Sequence, residues 1–89
     1  MHYSVLRLRD VRMAVVLVEI GQVNSDRLLG QLQTQFALPV MLVARDEGGW
    51  KGVKARAQFD ASPYLSALLA LDDVEWAPVP APADPEIPF

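Results

Sequence analysis

The chain has no cysteine, which removes disulfides, thiol nucleophiles, iron–sulfur clusters and cysteine-ligated zinc in one step. Histidine is nearly absent too. His2 is the only one, so no serine-type triad can be drawn, and a side chain so close to the terminus reads as a surface group rather than a general base. Long apolar runs are missing: stretches such as residues 14–18 are far shorter than a membrane span. The N-terminal MHYSVLRLRD lacks the apolar core and cleavage site of a secretory signal, so no membrane partner and a cytoplasmic location are expected. Basic residues stop at Arg56. Residues 1–59 hold all eight Lys and Arg against five acids, a balance of +3, whereas residues 60–89 hold six acids and no base, a balance of −6. Such asymmetry marks either a segment with its own partner or two halves that pair with each other.

What is present is enough apolar material for one core. The 89 residues are 52% hydrophobic, too apolar for a disordered chain and too few for more than one domain. The organising stretch is residues 11–20, VRMAVVLVEI, which reads apolar on both faces of a strand. A half-solvated strand alternates, whereas one that is apolar on both sides expects cover above and below, so this is taken as the central strand.

The remaining elements follow from local signals. Tyr3 to Arg9 alternates weakly and reads as an edge strand. Asn24 or Ser25 can cap a helix, Asp26 suits its positive end, and Leu28, Leu29, Leu32 and Phe36 form its apolar stripe. Gly30 beside that stripe is tolerable if it lets the helix approach the sheet closely. Pro39 ends the helical pattern and forces residues 40–44 to be extended, apolar on both faces and parallel to the central strand. A turn at residues 45–49 leads into Val53, Ala55, Ala57 and Phe59 alternating with Lys54, Arg56 and Gln58, the second arm of a hairpin. Ser62 and Pro63 start a second helix that is apolar nearly all round, which predicts that something covers it. Val74, Glu75 and Trp76 are candidates for a last short strand. The segment from Pro78, PVPAPADPEIPF, has five prolines in twelve residues and favours extended polyproline geometry.

The fold class is therefore α/β (α+β): a small single sheet with two helices in the order βαββα(β), with residues 1–77 as the domain and 78–89 as a Pro-rich acidic tail. If residues 74–77 join the sheet, the order matches the ferredoxin-like split βαβ, with both helices on one face; this is the favoured arrangement. The alternative rests on LPVMLVARDEGGWKGVKARAQFDASPYLSALLAL, which resembles the later part of a thioredoxin fold in order and spacing. That resemblance covers about a third of the chain and implies a truncated βαββα unit. The redox motif of that family is absent, so no thioredoxin-like activity is implied.

No motif names an activity, a cofactor or a metal. Asp72, Asp73 and Glu75 lack the ligand spacing of a calcium loop, and Gly48-Gly49 is not followed by the GK[ST] of a phosphate loop. The surface that could meet a polyanion, or receive the acidic tail, is Lys51, Lys54 and Arg56, extended by Arg7, Arg9 and Arg12. Stacking aromatics are few beside it, so nucleic acid is not the expected partner. In the tail, Asp84, Glu86, Ile87 and Phe89 combine charge with apolar anchors and form a candidate docking peptide. The expected function is a small non-enzymatic protein-interaction or regulatory module that self-associates, because two helices on one face would leave the other face of the sheet uncovered. A nucleic-acid-binding module using the basic strand face, and an accessory subunit completing an active site in another chain, are the alternatives.

Overall fold

The structure is a computed structural model and describes residues 1–46, 49–71 and 73–80. Strands β1 (His2–Leu8) and β2 (Val11–Leu17) form an antiparallel hairpin whose turn residues Arg9 and Asp10 both take positive φ, 50° and 66°. Two left-handed residues in sequence match the twist of a tight hairpin. β2 stops at Leu17 because a 3-10 turn, Ile20–Gln22, closes behind it: the Glu19 N–H donates to Gln22 Oε1 at 3.1 Å and the Gln22 N–H to the Glu19 carbonyl at 2.8 Å.

Helix α1 (Asp26–Phe36) starts where its cap signals put it. Ser25 Oγ accepts from the Leu28 N–H at 3.1 Å, Asp26 occupies the first turn, and Leu29 and Leu32 are buried. It ends at Ala37, which adopts the left-handed conformation (φ 55°, ψ 35°) and donates to the Gln33 carbonyl at 2.9 Å. Pro39 then turns the chain into β3 (Val40–Asp46), parallel to β2, with Ala14 opposite Val40 and Leu17 opposite Val43. β4 (Gly49–Arg56) returns antiparallel, with Leu42 opposite Arg56 and Ala44 opposite Lys54, before the register shifts towards Asp46 and Gly49. Ala57 and Phe59, expected on this strand, lie beyond its end and pack beneath the second helix.

Helix α2 (Ser62–Leu69) differs from expectation at its start. Ala61, not Ser62, sits at the cap position; the Ser62 N–H is instead satisfied by Asp60 Oδ1 at 3.1 Å, and Pro63 falls in the first turn, where a missing N–H costs nothing. The last strand is also displaced. Val74 and Trp76 pack on the core without strand geometry, and β5 is Ala77–Pro78, antiparallel to β1. The sheet order is β4-β3-β2-β1-β5: one five-stranded mixed sheet in an α+β domain.

Two expectations fail together. In a split βαβ a further strand separates the two parallel ones and both helices share a face; here β2 and β3 are direct neighbours, and the helices lie on opposite faces. Ala14, Val16, Val40, Leu42 and Ala44 pack with Val23, Leu29 and Leu32 on the α1 side. Met13, Val15, Met41 and Val43 pack with Leu8 and Leu68 on the α2 side. All of the residues 13–16 and 40–44 are fully buried, as apolarity on both faces required, but the chain covers both faces itself. The uncovered sheet face on which self-association was expected does not exist. The βαββα order shared with the thioredoxin resemblance is present in β2, α1, β3, β4 and α2.

Candidate interaction surfaces

Helix α1 crosses the sheet from one margin towards the other, and its two ends are tied by side chains. At its start Asp26 Oδ1 accepts from Arg56 Nη2 at 2.6 Å and Nε at 2.9 Å, bridging α1 to β4. At its end the Phe36 ring lies 4.8 Å from that of Tyr3 on β1. This divides the basic residues. Lys54 and Arg56 stand opposite Ala44 and Leu42, so they share the α1 face at the β4 margin, and Arg7 and Arg12 pair with each other at the far end of the β1–β2 hairpin. Arg9 is in the turn beyond them. Lys51 belongs to β4. The residues thus do not form one track across an open sheet: α1 occupies the face between them, and Arg56 is already engaged. Lys54 is exposed and has no ion-pair partner among the described residues.

The Pro-rich segment begins inside the fold. Pro78 pairs with His2, the Val79 N–H donates to the Met1 carbonyl at 3.0 Å, and Val79 packs against the α1-side core. Gln35 Nε2 donates to the Pro80 carbonyl at 2.8 Å. Asp84, Glu86, Ile87 and Phe89, the expected docking peptide, lie outside the described residues.

The two sheet margins differ in how they resist further strands. β5 covers the start of β1, whereas β4 ends the sheet with an exposed lysine and an irregular register, both features that discourage edge-to-edge pairing. At the carboxyl ends of β2 and β3, an open cleft of about 610 Å³ gathers His2, Leu17, Glu19, Gln22 and Arg45. Open α/β sheets tend to place ligands outside the carboxyl ends of parallel strands. Sequence reasoning missed this grouping because its members are up to 43 positions apart; the signal in the sequence is only that a charged residue, Glu19 or Arg45, follows each apolar run. Glu19 also caps the 3-10 turn that follows β2. No three His, Asp or Glu side chains converge on a metal-binding geometry among the described residues. No helix among them is long and apolar enough to cross a membrane.

The remaining surface is the outward side of α2. Leu68 is its only buried residue, with Tyr64 and Leu65 half-buried beside it and the Tyr64 ring edge-on to Phe59 at 5.2 Å. Ser62, Ser66, Leu69 and Ala70 recur at helical spacing on the opposite side, and all are exposed. Leu69 keeps 46% of its surface and Leu71 43%. From Ala61 to Leu71 there is no charge. An ordinary helix of this length covering one sheet face turns charged or amide side chains to water; α2 does not. No protein-family model, curated protein or solved structure matches the chain.

Proposed function

We propose that this chain is a non-enzymatic protein-interaction module whose contact surface is the outward side of α2. The observation that carries the reading is the uncharged run from Ala61 to Leu71 together with the exposure of Leu69 and Leu71 at its end. Exposed leucines next to small side chains admit close approach of another surface, and their burial is favourable at roughly 25 cal/mol per Å² of apolar area. Charged substitutions at the exposed Ser62, Ser66, Leu69 or Ala70 would cost the isolated fold little, so the uncharged character there supports a role outside it.

The nucleic-acid alternative has less support. A phosphate track needs contiguous cations and aromatic faces open for stacking; here the cations are split by α1, Arg56 is paired with Asp26, and Tyr3 is packed on Phe36.

A photo-crosslinking residue placed at Leu69, with Gln31 on the exposed side of α1 as control, tests the proposal in the producing cells. Discrete protein adducts are expected at Leu69 and none at Gln31. No adduct at Leu69, or the same adducts at both positions, overturns it.

A further inference from the structure

We propose that the C-terminal segment of this chain folds back onto its own α1 face and docks Asp84 and Glu86 on the paired guanidinium groups of Arg7 and Arg12. The docking does not depend on the α2 surface, which lies on the opposite face of the sheet.

An unfavourable pairing marks the receiving site. The Val79 N–H donates to the Met1 carbonyl, so the odd-numbered residues of β1 turn their backbone groups away from β2. Arg7 and Arg12 therefore form a non-hydrogen-bonded cross-strand pair, the closer kind, with Cα atoms about 4.5 Å apart. Tyr3 packs on the α1 side whereas Leu6 and Leu8 pack on the α2 side, so by alternation Val5, Arg7 and the opposing Arg12 project from the α1 face. Like charges directly opposite each other destabilise a hairpin. Both arginines are exposed and Arg9 follows in the turn; among the described residues none of the three is ion-paired, with Asp10 or with any other carboxylate. A carboxylate set between the two guanidinium groups turns that repulsion into charge-assisted hydrogen bonds.

The chain is on this face where the segment begins. Val79 packs against the α1-side core, and Gln35, in the last turn of α1, holds the Pro80 carbonyl. From Tyr3 to Arg7 is four residues of strand, roughly 13 Å. In polyproline geometry residues 80–84 span about 12 Å and residues 80–86 about 19 Å, so Asp84 and Glu86 bracket the arginine pair without crossing α1. Val5, 38% exposed, lies on that path, and the prolines of the segment supply apolar surface to cover it. Those prolines also limit the unfolded ensemble, which lowers the entropy lost on docking. Lys54 lies beyond α1 at the β4 margin and Arg27 at the other end of α1, both out of line with the path from Pro80.

Because the chain has no cysteine, two introduced thiols report proximity without competitors. Under mild oxidation of the full chain, Val5→Cys with Pro85→Cys should close an intrachain disulfide roughly tenfold faster than Lys54→Cys with Pro85→Cys, through its higher effective concentration. Adding Arg7→Gln and Arg12→Gln should bring the rate down to that of the control pair. Equal rates for the two pairs, a fast rate that survives loss of both arginines, or a product of two-chain mass overturns the proposal. A second measurement needs no cysteine: in NMR spectra of the full chain, Asp84→Asn with Glu86→Gln should shift the Val5 methyl signals and the side-chain signals of Arg7 and Arg12. Unchanged signals overturn the proposal as well.

Discussion

Gly30 lies in the interior of α1, and a Cβ built on it meets no atom within 4 Å outside its own helix. The explanation that a glycine here lets the helix approach the sheet closely is therefore incorrect, since the space for a methyl group already exists. Gly30→Ala removes backbone freedom from the unfolded chain and introduces no clash, so the full propensity difference, about 1 kcal/mol, should appear as added stability. No burial gain is added, because the new methyl group has no neighbours to pack against. The Thr34 hydroxyl bond to the Gly30 carbonyl, 3.1 Å, uses a backbone atom that the substitution keeps. For a domain of this size the change corresponds to a rise in melting temperature of roughly 4–8 °C. Urea denaturation followed by circular dichroism is the assay, and the midpoint should rise with an unchanged slope. An equal or lower midpoint would refute the reasoning, because it would require either an unseen neighbour above Gly30 or a backbone there that is not helical.

Ala37 is the reverse case: a residue with a Cβ held at φ 55°. Ala37→Gly should stabilise by about 1 kcal/mol through relief of the left-handed conformation, and, being seven positions away, should add to Gly30→Ala when both are combined in the same denaturation assay. Asp26→Ala removes the Arg56 bridge, but with the two side chains 75% and 40% exposed the loss should be at most about 1 kcal/mol and should shrink as salt is raised during thermal melts.

The identity of most elements was legible locally. Residues 13–16 and 40–44 are apolar at every position, and a run of that kind is a fully covered strand whichever elements cover it. Ser25 marks the start of α1 and Pro39 the start of the next strand because each acts on its own backbone and its nearest neighbours. The α2 surface was legible in part: its all-round apolar composition was plain in the sequence, and the need for a cover followed from it. Which of its residues are turned outward was less plain, since without charges in the helix only Ser62 and Ser66, four positions apart, mark the solvent side.

What only the tertiary structure decided is the assignment of faces. Hydrophobic period and caps act over one or two turns, and an apolar stripe specifies that a helix packs, not against which side of a sheet. The handedness of the β2–α1–β3 crossover places α1 on one face. With that face occupied, the chain leaving β4 at one margin reaches β5 at the other by crossing the opposite face, so α2 covers it. The Asp26–Arg56 bridge, the cleft joining His2, Glu19 and Arg45, and the pairing of Pro78 with His2 all depend on that path. Their partners are separated by tens of residues, and long-range proximity is set by the order in which strands enter the sheet, which no short stretch of this sequence encodes.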